Sequence, residues 1–273
     1  MVVLPQEIPP IFVDKLIREL AEKYDVDFSG YNRNFLRRRI ANRMHRTGTV
    51  SLSFYRRFLM ENPEELSEFL QNITINVSEF MRNPEVFVKL ERAILQDISR
   101  KIKGRVIRFW TAGCSRGEEP YSLAIILHKL SMLKNSFIQI VATDIDDIAL
   151  EQARRGVYNS ESLNNLSPSD KKLYFHHSKD SKYEIADKIK KPIYFKKHDI
   201  VRGPDLGKFD MIICRNVSIY FTRSYQERMY ERFCNDLFTN GYLVTGKTEM
   251  PPTRMSKRFR TVDFENRIYQ KVN

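Results

Sequence analysis

The chain has 273 residues, of which 42% are hydrophobic and 29% are charged, and its formal net charge is +12 at pH 7. The length allows one large or two smaller domains with a real core, and the basic balance predicts an acidic partner, which is nucleic acid, a membrane surface or an acidic protein. The N-terminus lacks the pattern of a signal peptide, and no stretch approaches the roughly 20 apolar residues of a membrane span, so we expect a soluble cytoplasmic protein. The widely spaced Cys114, Cys214 and Cys234 predict free thiols and no zinc or disulfide framework.

Apolar residues at helical spacing dominate residues 11–90, with no clear change to the alternation that is typical of strands. The spacing of Phe12, Leu16 and Leu20 is one example. We therefore predict an all-helical N-terminal domain over residues 1–83, followed by a linker helix over residues 84–101.

Arginine is concentrated between residues 31 and 46, and no acidic residue occurs from Ser29 to Met60. A solvated helix face is the ordinary explanation for such a cluster. The planar guanidinium group, however, is well suited to carboxylates and phosphates. We predict that this segment docks an acidic partner through Arg33, Arg37, Arg38, Arg39, Arg43 and Arg46.

A strand, a glycine-bearing turn and a helix start follow one another over residues 106–123. Such a turn is where nucleotide-like cofactors lie in open α/β sheets, and Gly113 and Gly117 allow close approach of the backbone. The turn lacks the glycine patterns of dinucleotide and phosphate-binding loops. Glu118 and Glu119 at the helix start would repel a pyrophosphate and favour a cofactor with a cationic group, such as S-adenosylmethionine.

Two further buried strands are predicted, over residues 137–142 and 209–214, and each is followed by polar residues. Asp144 has the position of a residue that binds ribose hydroxyls, although a helix cap would look the same. The last two strands are predicted to form an antiparallel hairpin at the sheet edge. His176 and His177 lie in a polar segment without further ligands at metal spacing, so no metal site is predicted.

Five motifs resemble, in order, those of the CheR-type chemotaxis receptor methyltransferases, which are protein-glutamate O-methyltransferases. They are ITINVSEFMRNPEVF at 73–87, AGCSRGEEPYSLA at 112–124, ATDID at 142–146, CRNVSIYF at 214–221 and GYLVTGKTE at 241–249. The resemblance implies an α/β fold in which a Rossmann-like methyltransferase sheet over residues 102–273 follows the helical domain. It also implies a small β-subdomain inserted at residues 173–195.

The resemblance implies S-adenosylmethionine as cofactor and S-adenosylhomocysteine as product. Glu118 would lie near the cofactor's ammonium group and Asp144 would bind its ribose, while Arg82 and Tyr220 would position the reactants as catalytic residues without transferring a proton. The cofactor-binding residues that the resemblance implies are Asn76, Ser78, Arg82, Gly113, Glu118, Asp144, Asp199, Ile200, Asn216 and Val217.

The implied substrates are glutamates in the cytoplasmic helical domain of chemotaxis receptors, which would become methyl esters during sensory adaptation. A glutamate side chain has a pKa near about 4.3 and is already ionised at neutral pH, so the transfer needs no general base. Charge reversal at Arg38 and Arg43 is predicted to weaken receptor methylation without weakening cofactor binding.

Three residues depart from the family's usual pattern: Arg116, Asp199 and Lys247. The insert also has no glycine between Lys171 and Val201, which argues against tethering to a receptor's C-terminal peptide. Three alternatives stay open: a methyltransferase for another acidic protein, a non-catalytic sensor of S-adenosylmethionine, and a nucleic-acid-binding protein. No recognisable nucleic-acid module supports the last one, and no membrane insertion is expected.

Overall fold

The computed structural model describes residues 8–24, 27–74, 78–101, 104–135 and 137–272. The described residues fall into two compact units, one within 1–75 together with 220–226, and one within 76–219 together with 227–273. The chain therefore enters the first unit twice.

The first unit is built from four helices: α1 (Pro10–Tyr24), α2 (Arg33–Arg46), α3 (Leu52–Glu61) and α4 (Pro63–Ile73). Each of the last three begins after a polar residue whose side-chain oxygen accepts hydrogen bonds from main-chain N–H groups of the first turn. Apolar side chains from all four helices form one core, which includes Leu16, Leu36, Tyr55 and Phe69. The predicted all-helical character of this region is confirmed.

The second unit begins with a helical segment that changes its winding. It consists of α5 (Pro84–Lys89), one π-helical turn (Leu90–Ile94) and α6 (Leu95–Lys101). Its apolar face contributes Phe87, Leu90 and Leu95 to the core of the sheet. The segment predicted as a linker helix is therefore packed into the second unit.

A seven-stranded sheet forms the centre of the second unit, in the order β6-β2-β1-β7-β8-β10-β9. The first five of these strands are parallel neighbours, and β8, β10 and β9 pair antiparallel. This confirms the Rossmann-like sheet with an antiparallel hairpin at its edge. Its strands are β1 (Ile107–Ala112), β2 (Ile138–Asp144), β6 (Ile193–Lys197), β7 (Phe209–Cys214), β8 (Leu237–Thr245), β9 (Phe259–Asp263) and β10 (Ile268–Lys271).

Helices cover the sheet between its strands, as the parallel connections require. The helices of this unit that follow β1 are α7 (Glu118–Lys129), α8 (Met132–Asn135), α9 (Asp147–Arg155), α10 (Pro168–Tyr174), α11 (Asp187–Lys190) and α12 (Arg223–Asp236), the last of which begins in the first unit. Shorter 3-10 turns lie at Ser160–Leu163, Ser218–Tyr220 and Thr253–Met255.

A small antiparallel sheet orders its strands as β3 (Val157–Tyr158), β5 (Tyr183–Ile185) and β4 (Phe175–His177). The predicted insert over residues 173–195 differs from this sheet at both ends. β3 lies before it, and Ile193 at the start of β6 pairs with Ile140 in the large sheet. The insert bounds are those that the resemblance implies, and a strand pattern in the sequence does not by itself identify the partner of Ile193–Phe195.

Several general properties accompany this fold. All three cysteines are buried and free. Within the described ranges, no set of three or more His, Cys, Asp or Glu side chains is arranged to bind a metal ion, and His176 and His177 are exposed. None of the helices described here has both the length and the apolar character needed to cross a bilayer.

Candidate cofactor site

The turn after β1 requires glycine at its first residue. Gly113 has φ of +75°, and a Cβ atom there would lie 2.5 Å from Cγ2 of Val217. The N–H groups of Gly113 and Cys114 both donate to the carbonyl oxygen of Thr143, at 2.8 and 2.9 Å. The turn therefore lies against the end of β2 and packs so closely on Val217 that residue 113 has no room for a side chain.

Asp144 is the last residue of β2 and is held by this turn. Its Oδ2 accepts a hydrogen bond from the N–H of Ser115 at 2.7 Å, and its Oδ1 accepts one from the N–H of Asp146 at 3.0 Å. Burial raises the pKa of Asp144 to about 6, and the main-chain hydrogen bonds oppose part of that rise. The carboxylate is thus ionised at neutral pH and fixed at the carboxyl edge of the sheet.

Glu118 begins α7 and is only 2% exposed. Burial raises the pKa of its carboxyl group, while a hydrogen bond from the side chain of Ser78 and the charge of Arg116 lower it. Its Oε2 atom is buried and, among the described residues, has no hydrogen-bond partner. An unpaired buried carboxylate oxygen is unfavourable unless a ligand supplies a donor, so this atom suits an ammonium group.

The loop before α5 holds Arg82 between two residues in the left-handed region, Met81 at φ +51° and Asn83 at φ +57°. The N–H of Met81 donates to Oγ of Ser122 at 2.9 Å. Nη2 of Arg215 donates to the carbonyl oxygen of Arg82 at 2.8 Å and to Oδ1 of Asn83 at 2.7 Å. Arg215 is not among the predicted site residues, although it lies in the motif CRNVSIYF at 214–221.

The segment after β7 carries a second buried acceptor without a partner. Asn216 has φ of +60°, and its Oδ1 atom is buried and makes no hydrogen bond within the described part of the chain. Val217, the next residue, packs closely against Gly113. Gly113, Glu118, Asp144 and the 216–217 segment therefore all belong to the second unit, and their roles toward a cofactor stay predictions.

Asp199 and Ile200 follow β6, next to Asp144. The N–H of His198 donates to the carbonyl oxygen of Asp144 at 2.9 Å. Oδ1 of Asp199 accepts hydrogen bonds from the N–H groups of Val201 and Arg202, at 2.7 and 2.8 Å. The aspartate thus stabilises its own turn, which an asparagine oxygen would also do, and Ile200 is buried beside it.

The two other departures from the family pattern are Arg116 and Lys247. The side chain of Arg116 is exposed, and its carbonyl oxygen accepts a hydrogen bond from the hydroxyl of Tyr158 at 2.7 Å. Lys247 pairs with Glu85 at 2.8 Å and donates to the carbonyl oxygen of Glu265 at 3.1 Å. Lys247 therefore connects the start of α5 to the β9–β10 turn.

Two predicted site residues are not assigned to this group. Asn76 lies outside the described residues. Tyr220 belongs to the helical unit, where its carbonyl oxygen accepts a hydrogen bond from the N–H of Asn32 at 2.8 Å and its ring centroid lies 4.8 Å from that of Phe35. The catalytic role of Tyr220 stays a prediction.

One of the predicted docking arginines is contradicted by its position. Arg43 is 6% exposed and pairs with Glu65 at 2.6 Å inside the helical unit, so it has no free face for a partner. Arg33 pairs with Asp14 at 2.6 Å but is partly exposed. Arg38 and Arg46 are exposed, and Arg37 and Arg39 are partly exposed.

Comparison with known proteins matches both units. Residues 76–268 match the CheR methyltransferase, SAM binding domain, and residues 13–74 match the CheR methyltransferase, all-alpha domain. The chain is 33% identical to a chemotaxis protein methyltransferase of Listeria monocytogenes over 89% of this chain and 92% of the relative. It is 30% identical to one of Borreliella burgdorferi, with 87% of each chain covered.

These matches agree with the chemistry of the site, because Oε2 of Glu118 and Oδ1 of Asn216 are buried acceptors suited to the amino-acid end of S-adenosylmethionine. The ionised Asp144 at the end of β2 is suited to ribose hydroxyls. The chain therefore belongs to the CheR methyltransferase family, and it is an S-adenosylmethionine-dependent methyltransferase.

Proposed function

We propose that this protein transfers a methyl group to glutamate side chains of chemotaxis receptors, forming glutamate methyl esters for sensory adaptation in the cytoplasm. The names of the relatives from Listeria monocytogenes and Borreliella burgdorferi support the chemotaxis setting. The observation that carries the choice of substrate is the outer surface of α2, which presents several arginines and no acidic residue.

The docking surface is defined here as Arg37, Arg38, Arg39 and Arg46. Of these, Arg38 and Arg46 are the exposed members. The guanidinium of Arg39 lies 5.0 Å from the ring centroid of Phe35, which orients its planar face. Guanidinium groups bind carboxylates with two parallel hydrogen bonds, so a helical receptor domain rich in glutamate is the partner whose chemistry fits best.

Bound S-adenosylmethionine supplies an activated methyl group on a sulfonium centre. The residues of the chain hold the cofactor and orient the substrate carboxylate. We assign Glu118 and Asn216 to the cofactor's ammonium group, Asp144 to its ribose, and Ser78, Gly113, Val217, Asp199 and Ile200 to the surrounding walls. Because the substrate carboxylate is ionised at neutral pH, with an ordinary pKa of about 4.3, no residue has to remove a proton.

Arg82 is assigned to orienting the substrate carboxylate. Its main chain is fixed on both sides by left-handed residues and by the hydrogen bond from Arg215. A backbone held this way loses little further freedom when substrate binds, which favours positioning as the source of rate enhancement. For Tyr220 we keep the positioning role that the family resemblance implies.

The test uses a purified receptor cytoplasmic domain and S-adenosylmethionine labelled in its methyl group. We expect protein-bound label that is released as methanol by mild base, which identifies a carboxyl methyl ester. A receptor domain with its candidate glutamates replaced by alanine is the matched substrate control. Base-stable label, or label that is unchanged on the alanine-substituted domain, would contradict glutamate as the acceptor.

Cofactor binding in the same preparation separates two kinds of failure. If S-adenosylhomocysteine binds and no receptor is labelled, the substrate assignment is wrong and another acidic protein or a sensing role replaces it. If Glu118→Gln binds S-adenosylhomocysteine as tightly as the unmodified protein, the assignment of the ammonium site is wrong.

A further inference from the structure

Glu249 is a buried carboxylate that the proposed function does not use. It lies shortly after β8 and is 3% exposed. Acidic residues in folded proteins are rarely buried to this extent unless they are paired. Arg215 and Lys247 pair with Glu119 and Glu85, and within the described ranges no cation pairs with Glu249. Its partners are instead uncharged donors, and they are concentrated on one short segment.

Five donors converge on the two oxygens of Glu249. Its Oε2 accepts from the N–H groups of Asn216 at 2.6 Å and Gly246 at 2.8 Å. Its Oε1 accepts from the N–H of Val217 at 3.0 Å and from both the N–H and the hydroxyl of Ser218, each at 2.7 Å. Three successive main-chain N–H groups therefore point to one side chain.

Such a row of N–H groups is the geometry of an anion-binding concavity, which forms when a residue in the left-handed region starts the turn. Asn216 supplies that residue with φ of +60°. The turn does not satisfy its N–H groups internally, so it depends on an anion in the concavity. Glu249 is that anion, and it comes from a position 33 residues further along the chain.

The segment held in this way faces the cofactor turn. Cγ2 of Val217 is the atom that would meet a Cβ on Gly113, and Oδ1 of Asn216 is a buried acceptor without a partner among the residues described. Gly246 also lies against Glu249 so closely that a Cβ there would meet Oε2. The same Cβ would lie 2.9 Å from the main-chain nitrogen of Asn216, so Gly246, Glu249 and Asn216 pack together without room for another side chain.

We propose that Glu249 is a positioning residue that acts through Asn216 and Val217 to set the cofactor-binding wall facing Gly113. The inference rests on the assignment of Asn216 and Val217 to the cofactor in the proposed function. Glu249 itself makes no contact with the cofactor in this scheme. Its contribution is to fix where the Asn216 amide oxygen and the Val217 side chain lie before the cofactor arrives.

The test is the affinity of the ligand-free protein for S-adenosylhomocysteine, measured by calorimetry well below the unfolding temperature. Glu249→Gln keeps the size but turns one acceptor oxygen into a donor that faces N–H groups. We expect the dissociation constant to rise by about tenfold or more, with binding still at one ligand per chain, because lost hydrogen bonds to a charged acceptor have effects of this size. A purely structural role would lower the binding stoichiometry and the unfolding temperature and leave the dissociation constant unchanged.

A double-mutant cycle with Asn216→Ala tests whether Glu249 affects cofactor affinity through Asn216. If Glu249 acts through Asn216, the loss from Glu249→Gln is much smaller in the Asn216→Ala background than in the unmodified protein. Equal losses in both backgrounds would overturn the proposal. If Glu249→Gln does not fold, Glu249→Asp replaces it, since it keeps the charge but is too short to reach all five donors, and intermediate affinity is expected.

The outcomes separate this inference from the assignments on which it rests. Unchanged affinity in Asn216→Ala would remove the cofactor role of Asn216, and with it the proposed action of Glu249. Weakened binding in Asn216→Ala together with unchanged affinity in both Glu249 variants would overturn the inference alone.

Discussion

Arg43 and Glu65 form two hydrogen bonds inside the helical unit, with Nε of Arg43 3.0 Å from Oε1 and Nη2 2.6 Å from Oε2. Both side chains are almost completely buried, and the hydroxyl of Tyr55 donates to the same carboxylate at 2.9 Å. The pair joins α2 to α4 in the core. The arginines of α2 therefore have two different roles. Arg43 stabilises the core of the helical unit, whereas the exposed arginines form the proposed docking surface.

Replacing Arg43 by alanine is expected to lower the free energy of unfolding by about 3–5 kcal/mol, because it leaves the carboxylate of Glu65 buried without its main partner. Urea unfolding followed by circular dichroism measures this change. Arg38→Ala is the matched control on the same helix and should change stability by less than about 0.5 kcal/mol. Similar stabilities for the two variants would contradict the structural role of Arg43.

Charge reversal on the docking surface is expected to act on the receptor substrate alone. Arg38→Glu with Arg46→Glu should raise the KM for a receptor cytoplasmic domain several-fold at low salt, because two attractive charges become repulsive. The dissociation constant for S-adenosylhomocysteine should not change.

Lys172→Glu with Lys257→Glu, an equal charge change at two exposed positions in the second unit, is the control for net charge. The difference between the docking-surface variant and this control should shrink as salt rises, since exposed charges are screened within about 10 Å at 0.1 M ionic strength. A KM effect of equal size in the control variant would mean that total charge, and not the docking surface, determines receptor binding.

Asp144 is expected to destabilise the ligand-free protein as pH rises. Its pKa is raised from 3.8 to about 6 in the folded protein, so the unfolded chain holds fewer protons between these values and unfolding becomes more favourable with increasing pH. Since one pKa unit corresponds to about 1.4 kcal/mol, the penalty approaches about 3 kcal/mol above pH 6.

Asp144→Asn removes this penalty but loses an acceptor for the N–H of Ser115. The unfolding temperature of the variant minus that of the unmodified protein should therefore be more positive at pH 7.5 than at pH 5. Thermal unfolding of both proteins at these two pH values measures the difference. Parallel pH dependences would show that Asp144 has an ordinary pKa in the folded state.

Arg215 is expected to affect stability and cofactor affinity through different contacts. Nη1 lies 3.3 Å from Oε2 of Glu119, whose pKa is raised by burial, and Nη2 holds the main chain of Arg82. Arg215→Met should destabilise the protein by about 3 kcal/mol, because Glu119 loses its partner. It should also weaken S-adenosylhomocysteine binding, because the loop that contains Arg82 is no longer fixed.

Arg215→Met combined with Glu119→Gln separates the two effects. The free energy of unfolding should recover most of the loss, since no unpaired buried charge is left. The weakened binding of S-adenosylhomocysteine should persist. Unfolding experiments and calorimetry on the single and double variants provide the comparison. Recovery of full affinity in the double variant would exclude a role for the contact between Arg215 and Arg82.

The order of elements and the cofactor turn could be predicted from the sequence because both depend on local signals. Gly113, Glu118 and Asp144 follow from the strand, turn and helix pattern, and the structure brings these residues together. The buried position of Arg43 also had a local signal. Leu36, Ile40, Arg43 and Met44 are spaced as one helix face, so Arg43 continues an apolar stripe and does not belong to the solvent side.

The rest depends on distant contacts that a single sequence does not encode in a readable pattern. The membership of Ile193–Lys197 in the large sheet is decided by pairing with β2. The role of Glu249 arises only where two separate loops meet, because its partners at Asn216, Val217 and Ser218 are far away along the chain. Burial and hydrogen-bond geometry distinguish such residues from surface carboxylates.

The outermost position of β6 in the seven-stranded sheet has a consequence for how copies of the protein behave in concentrated solution. An edge strand offers unpaired main-chain groups to another strand, and the exposed ring of Tyr194 adds apolar surface to this one. The strand ends in Lys196 and Lys197, both exposed. Lys197 also pairs with Asp147 at 2.7 Å. Charged lysine side chains on an edge strand oppose the addition of a second strand, so we expect them to limit edge-to-edge association of copies, and to do so less as salt rises.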